Sequence, residues 1–393
     1  MTKAIYIGVS SKARKVKKIY VGVSNKARLV KKGYIGVGGK ARLFFSNESP
    51  IIRNGNGTAL TNTVNQLSSA SNFGSGTYCS ACFTGGFKNS TTLCVNTVDR
   101  INEKLVKSSS TISRLSANMA SAILGNTKYC LFAGGNQSSS VDVLNERYVL
   151  SNTTVVNNTG ASFMGGASVG QFCHFAGGLN GTSTYLKSIT EYSATNLVRT
   201  EAGDLSIARY GMISISSKDM KRDMFIGGQN ASNSTSNAVD SFLYNKNRLT
   251  LSSATNGLNT AFGAGGVAGN YFIAAGGYIG NGSSVSNKCY AYNNSLVQTS
   301  CDPLQKARCY LACTSLDSYV IFAGGSTSKT VKSNSTAYVD IYSSSLVHSV
   351  GTNLGTARAQ LGAATIGNYA IFAGGCTTSE TVATNVTDIY KLG

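Results

Sequence analysis

A pair of adjacent glycines recurs seven times along this 393-residue chain, at intervals of 43 to 50 residues. The pairs stand at 85–86, 134–135, 177–178, 227–228, 276–277, 324–325 and 374–375. In six of the seven units a Phe lies two residues before the pair, in a short apolar run such as 319–323. An apolar run that stops at glycine predicts a buried strand, ending where φ is positive or where two backbones approach closely. The chain is therefore predicted to be a repeat protein built from β-strands.

Each unit carries further strand-like segments around the glycine pair. A third strand with an acidic residue follows the pair by 12 to 15 residues, and a fourth strand comes after it. The acids that recur at this place are Asp99, Glu191, Asp240, Asp340 and Asp388. Four strands per repeat are typical of a β-propeller blade. The predicted fold class is all-β, with a seven-bladed propeller over residues 60–393.

The blade pattern resembles the Kelch family. The resemblance is carried by the Gly-Gly pair after an aromatic strand, by the acid and Tyr of the third strand, and by an Arg after an Ala at Arg209, Arg308 and Arg358. The chain departs from the family pattern because it has no Trp, which Kelch blades usually place in the fourth strand. The resemblance implies a divergent Kelch-like propeller.

The two ends of the repeat region predict how the ring closes. The last unit stops after its third strand, whereas residues 60–67 match the fourth-strand segment 346–354. We therefore expect strand 60–67 to pair with 386–392, which would leave no exposed sheet edge. Residues 47–59 contain a Pro and a Gly-Asn-Gly, as a linker would.

The positive charge of the chain is concentrated at its beginning. Lys and Arg total 35 against 16 acids, a net charge of +19, and residues 1–46 hold 12 of these cations and no acid. Within this tract Tyr-Ile/Val-Gly-Val recurs every 14 residues, each time followed by Lys-Ala-Arg. Each unit is predicted to be a strand, a turn and a second basic strand, and the three together a small β-meander. The candidate docking or polyanion-binding residues are Tyr6, Arg14, Tyr20, Arg28, Tyr34 and Arg42.

These 14-residue repeats resemble tracts at the start of phage and prophage structural proteins of Gram-positive bacteria. The resemblance implies a virion protein, assembled in the host cytoplasm, that contacts other virion proteins through residues 1–46 and forms a homo-oligomer. Binding of nucleic acid is less favoured, because a fixed period specifies geometry that a simple polycation does not need. No segment reads as a signal peptide or a membrane span, so we expect no membrane insertion.

Catalytic chemistry is poorly represented. The recurring acids are expected to accept backbone hydrogen bonds at strand ends, and His174 and His348 lie in strand-like runs. The chain has no Gly-x-Ser-x-Gly motif, and the Cys-x-x-Cys at Cys79 and Cys82 has no second pair to complete a zinc site. We therefore expect no enzymatic activity, no cofactor and no metal.

Binding chemistry is better represented. The loops after the glycine pairs are rich in Asn, Ser and Thr, and strand alternation places them on one rim with the residues that precede each first strand. The candidate rim ligands are Arg209, Arg308, Arg358, Tyr185 and Tyr278. Such a face suits hydroxyl-rich or anionic ligands such as glycans. The predicted function is a bacteriophage tail or fibre protein that recognises a glycan or protein of the host surface. The alternatives are a purely structural tail or capsid decoration protein and a propeller-fold glycan-degrading enzyme.

Overall fold

The computed structural model is all-β, with 39 strands and no helix in the part of the chain that it describes. It describes every residue except 1–5, 10–11, 16–19, 24–25, 30–31, 38–39, 47–49, 74–78, 90, 125–127, 157–159, 218–220, 246–247, 282–283 and 332–333. The chain divides into two compact units, residues 1–52 with 392–393 and residues 53–391.

The N-terminal unit contains three short β-hairpins. Their strands are β1 (Tyr6–Val9), β2 (Lys12–Lys15), β3 (Tyr20–Val23), β4 (Lys26–Leu29), β5 (Lys32–Val37) and β6 (Lys40–Ser46). The register repeats: Ile7 opposes Arg14, Val21 opposes Arg28, and Ile35 opposes Arg42. The described strands pair only within their own hairpin, so the predicted continuous meander is wrong. A two-residue connection favours a tight hairpin, and charged second strands oppose pairing at the next edge.

The larger unit is built from seven four-stranded antiparallel sheets. The first four are β8 (Ser68–Phe73), β9 (Ser80–Thr84), β10 (Thr97–Asn102) and β11 (Lys107–Thr111); β12 (Ala120–Leu124), β13 (Tyr129–Ala133), β14 (Ser140–Asn145) and β15 (Leu150–Val155); β17 (Gly165–Val169), β18 (Phe172–Ala176), β21 (Ser188–Ser193) and β22 (Arg199–Asp204); and β24 (Ile213–Ser217), β25 (Arg222–Ile226), β27 (Val239–Asn245) and β28 (Arg248–Ala254).

The last three sheets are β29 (Ala264–Ala268), β30 (Tyr271–Ala275), β31 (Cys289–Tyr292) and β32 (Gln298–Ser300); β33 (Ala312–Leu316), β34 (Tyr319–Ala323), β35 (Val339–Ser343) and β36 (His348–Val350); and β37 (Gly362–Ile366), β38 (Tyr369–Ala373), β39 (Thr387–Leu392) and β7 (Ile51–Asn56). Short two-residue strands lie between them: β16 (Ala161–Ser162), β19 (Leu179–Asn180), β20 (Thr184–Tyr185), β23 (Arg209–Tyr210) and β26 (Gln229–Asn230).

The seven sheets form a ring. The first strand of each sheet contacts the first strand of the next, from β8 through β37, and β37 contacts β8 in turn. We therefore refer to the sheets as blades 1 to 7, in the order given. The core lies between blades, where second-strand aromatics such as Phe132, Phe175 and Phe225 are completely buried. The prediction of an all-β propeller fold is confirmed.

The strand that completes blade 7 differs from the predicted one. It is β7, within the segment interpreted as a linker, whereas residues 60–67 form no strand of that sheet. The amide of Leu60 donates to Asn385 O at 2.8 Å, as Leu304 does to Asn287 O and Leu354 to Ala337 O. Leu60 is therefore equivalent to the leucine that follows a fourth strand. The predicted pairing of 60–67 with 386–392 was wrong because residues 60–67 were matched with a fourth strand, whereas they correspond to the segment that follows one.

Candidate ligand-binding face

A closed ring of backbone hydrogen bonds joins all seven blades. Each blade contributes one residue just before its first strand, and these residues are Gln66, Asn118, Phe163, Gly211, Phe262, Tyr310 and Gln360. Each amide N–H donates to the carbonyl oxygen of its counterpart in the preceding blade at 2.8 to 3.2 Å, and Gln66 closes the ring on Gln360. All seven have a left-handed φ, between 51° and 64°. We call these seven residues the belt; their backbone is held on both sides by neighbouring blades.

The glycine pairs lie on the same face as the belt. The second glycine of each pair donates its N–H to the carbonyl oxygen of the residue two positions before a belt residue, as Gly178 does to Arg209 O at 3.0 Å. A Cβ on Gly177, whose φ is +60°, would lie 2.4 Å from the same carbonyl oxygen. The glycines therefore mark a close approach of adjacent blades, as their repetition indicated. We call this side of the ring the Gly-Gly face.

The three predicted rim arginines are not on the surface. Their side chains are fully buried, and each contacts the aspartate of the third strand in its own blade. The pairs are Arg209 with Asp240 at 2.7 Å, Arg308 with Asp340 at 2.7 Å and Arg358 with Asp388 at 2.8 Å. Burial lowers the pKa of each guanidinium, and the partner aspartate opposes that effect. The prediction that these arginines contact a ligand is wrong, because each guanidinium is buried in an ion pair inside its own blade and is not available to a ligand.

Four of the five recurring acids also accept backbone hydrogen bonds, as the sequence indicated, whereas Glu191 contacts the side chains of His174 and Thr200. Gln305 N–H donates to Asp340 at 2.9 Å, and Gly355 N–H donates to Asp388 at 2.9 Å. Each aspartate thus joins the entering loop, the arginine and the third strand of one blade. These acids belong to the framework of the ring.

The two predicted tyrosines differ in exposure. Tyr278 is 1% exposed, and its hydroxyl donates to Gln229 Oε1 at 2.5 Å. Burial raises the pKa of this phenol well above its ordinary value. Tyr185 is half-buried and donates to Asn233 Oδ1 at 3.1 Å. Tyr185 therefore remains accessible, whereas the burial of Tyr278 limits it to supporting its neighbours.

Both tyrosines belong to an aromatic cluster that sequence reasoning missed. The cluster comprises Phe163, Tyr185, Tyr210, Phe262, Tyr278 and Tyr310. Phe262 lies at its centre, with ring centroids 5.3 Å from Phe163 and 5.2 Å from Tyr310. Three of the members are belt residues. Each of these three precedes the first glycine of the next pair by 14 residues, and this spacing was the signal that could have identified them.

A pocket of about 400 Å³ opens beside this cluster, between the loops of blades 1, 2 and 3. Its walls include two aromatic rings, three side-chain amides and a serine: Phe87, Phe163, Asn118, Asn136, Gln137 and Ser162. Two threonines, a leucine and a glycine complete the lining. No lining residue is ionisable. Phe163 thus belongs both to the aromatic cluster and to the pocket.

The histidines lie away from this face, in ionic clusters. His174 is fully buried between blades, with Nδ1 2.7 Å from Asp223 Oδ2 and Nε2 3.2 Å from Glu191 Oε2. Burial alone would lower the pKa of His174, but the two carboxylates raise it to about 9. His348 Nε2 lies 2.7 Å from Asp340 Oδ1. These positions are structural, because the buried imidazole of His174 has no access to a substrate.

The described residues contain neither a cluster of metal ligands nor a membrane-spanning helix. Among them, no three or more His, Cys, Asp or Glu side chains are grouped so as to hold a metal ion. Within the same residues no helix is long and apolar enough to span a membrane.

The candidate docking residues Tyr6, Arg14, Tyr20, Arg28, Tyr34 and Arg42 lie on the hairpin strands at repeated register positions.

Comparisons with known proteins identify the fold alone. No protein-family model matches the chain, and no curated protein matches it. The solved structure of YjhT matches with a TM-score of 0.52 and 12% sequence identity, covering 71% of this chain and 95% of YjhT. At this identity the similarity supports a β-propeller-like fold and carries no information about ligand or activity.

Proposed function

We propose that this chain is a bacteriophage virion protein of the tail or fibre type, whose propeller binds a host-surface glycan through its Gly-Gly face. The observation that carries the proposal is the combination of accessible aromatic rings and side-chain amides on one rigid belt. Aromatic surfaces with a few fixed polar groups are the usual composition of small-ligand sites. With the three arginines buried, the support is for a hydroxyl-rich ligand and no longer for an anionic one.

The N-terminal hairpins support the virion part of the proposal. Three units share one register and one basic pattern, which is what repeated contacts to other virion proteins or to a second protomer require. The sequence resemblance to phage structural tracts points the same way, and the blade pattern resembles a Kelch-like propeller. In this proposal residues 1–46 dock onto other virion proteins, and the ring recognises the ligand.

Binding to purified cell walls of Gram-positive bacteria tests the proposal. The fluorescently labelled full chain is incubated with walls before and after mild periodate oxidation, which cleaves vicinal diols of sugars. Binding that is lost after oxidation supports glycan recognition. Binding that survives oxidation, or no binding to any wall of a broad panel, contradicts it. Reducing sugar is measured in the same samples, and its release would favour the glycan-degrading alternative.

One observation favours a structural decoration protein as the second candidate. Four exposed valines occupy equivalent turns between third and fourth strands, on the side opposite the Gly-Gly face: Val106, Val149, Val198 and Val297. Exposed apolar residues repeated around a ring fit contacts with other subunits. If changing all four to Ser blocks incorporation into particles while wall binding is absent, the decoration role is the better account.

A further inference from the structure

We infer that the pocket between blades 1, 2 and 3 binds an uncharged sugar unit, an inference that rests on the proposed function. The pocket is built from two kinds of rigid element. Asn118 and Phe163 come from the belt, whereas Phe87, Asn136 and Gln137 follow the glycine pairs of blades 1 and 2.

The two phenylalanine rings provide the apolar walls. Phe87 and Phe163 both line the pocket, and both are only half-buried, so part of each residue remains accessible to a ligand. A pyranose has one face made largely of C–H groups, which packs against an aromatic ring while its hydroxyls point outward. Flat, rigid aromatic surface is a favourable partner because little side-chain entropy is lost when it is covered.

The amides provide the polar partners. Each of Asn118, Asn136 and Gln137 carries one acceptor oxygen and two amide donors, which match hydroxyl groups that both donate and accept. Local contacts hold the side chain of Asn136 and the backbone of Gln137. Asn136 Nδ2 donates to Cys94 Sγ at 2.8 Å, and Gln137 N–H donates to Ser162 Oγ at 3.0 Å.

The absence of charge in the lining selects against acidic sugars. None of the lining residues is ionisable, and Arg114, four residues before the belt residue Asn118, pairs with Asp142 at 3.1 Å. A carboxylate placed here would lose hydration without gaining a cationic partner, which is costly. A neutral hexose or N-acetylhexosamine loses only hydroxyl hydration, and the amides replace it.

The size and rigidity of the cavity fit a short part of a glycan. Its volume of about 400 Å³ is near the lower end of the range for small-ligand sites. Phe163 N–H donates to Asn118 O at 3.2 Å, so two wall residues are bonded directly to each other. A preformed wall reduces the ordering cost of binding.

Saturation-transfer NMR on the full chain tests this inference. The probes are lactose, maltose and N,N′-diacetylchitobiose, with galacturonic acid and N-acetylneuraminic acid as acidic comparisons. At least one neutral probe is expected to bind, and the acidic ones are not. Phe163→Leu is expected to weaken that binding roughly two- to tenfold, the range for loss of an aromatic contact; Phe87→Leu should act in the same direction.

Phe172→Leu is the matched control. It changes the same residue type where the side chain is also half-buried, at the start of the second strand of blade 3 and outside both the pocket and the aromatic cluster. The two variants should show similar melting temperatures, so a loss of sugar binding confined to Phe163→Leu reports the pocket. Equal binding by both variants, or preference for an acidic probe, overturns the inference. If Phe163→Leu and Phe87→Leu bind walls as tightly as the wild type does, and that binding is lost after periodate, the inference fails while the proposed function stands; if the wild type binds no wall, the proposed function fails first.

Discussion

The amide N–H of Gln66 donates to the carbonyl oxygen of Gln360 at 2.9 Å, and this hydrogen bond joins the first blade to the last. The other belt bonds each connect blades that follow one another in sequence. In the last blade, Arg53 Nε donates to Asp388 Oδ1 at 2.7 Å, which ties the closing strand β7 to β39. Ring closure therefore depends on backbone and side-chain contacts between distant parts of the sequence.

The buried ion pairs should be far more important for stability than the exposed ones. Asp240→Asn removes the charge that neutralises fully buried Arg209, and breaking such a pair costs about 3–5 kcal/mol of unfolding free energy. Asp204→Asn is the control, because Asp204 pairs with Lys187 where both side chains are about half exposed, and its effect should stay within about 0.5 kcal/mol. Urea denaturation measures both. Comparable losses of unfolding free energy in the two variants would show that the Arg–Asp pairs do not anchor the blades.

A glycine of the belt should tolerate no side chain. Gly211 has φ +64°, and a Cβ there would lie 2.5 Å from the ring of Phe262. Gly181 has nearly the same φ, +63°, with no atom within 4 Å of the added Cβ. Gly181→Ala should therefore cost about 1 kcal/mol from backbone strain alone. Gly211→Ala should cost about 1–3 kcal/mol more, because Phe262 must move. Equal melting temperatures for the two variants would contradict this account.

Stability should fall as the pH rises from neutrality. The pKa of His174 is about 9 in the folded protein and near 6.5 when unfolded. A raised folded pKa means that the stabilisation is complete below about pH 6.5 and is lost as the pH approaches 9. The difference corresponds to about 3 kcal/mol. Thermal melting between pH 6 and 10 measures it.

His174→Gln provides the control for that titration. The variant should be less stable at pH 6, since Asp223 and Glu191 then lack their cation. Its stability should depend less on pH between 6.5 and 9 than that of the wild type. A variant with the wild-type pH profile would assign the effect to other groups.

Salt-sensitive binding to polyanions should depend on the N-terminal repeats. Replacing Arg14, Arg28 and Arg42 with Gln should lower the salt concentration that elutes the full chain from heparin, because fewer counterions are released on binding. The matched control replaces three exposed cations of the ring, Lys104, Arg147 and Lys306, with Gln. The control should elute nearly as the wild type does. Equal decreases in the eluting salt concentration for the two variants would mean that heparin binding depends only on the total charge of the chain.

The repeat period predicted the architecture well because each unit has to build the same sheet. The aromatic run before each glycine pair becomes the buried second strand, and the third-strand acid has the predicted backbone partners. These features depend on contacts inside one blade or with the next. Local pattern is sufficient to reveal them.

The wrong predictions concern how deeply side chains are buried and which strands pair when they are distant in sequence. Strand alternation placed Arg308 on the rim but could not show that its guanidinium folds inward onto Asp340. The segment 51–56 is polar and glycine-containing, so nothing local distinguished it from a linker; its partner Asp388 lies 335 residues away. The belt was not predicted because its residue types vary, and a left-handed φ at non-glycine residues has no characteristic sequence pattern.

The composite last blade also bears on how the ring is made during synthesis. Strand β7 emerges from the ribosome before any complete blade, yet Asp388 of its partner strand β39 is translated 335 residues after Arg53. Until then β7 has no neighbour in its sheet, and both sides of the ring remain open to unwanted strand pairing. A chain truncated before residue 387 lacks β39, so β7 has no partner and the ring cannot close.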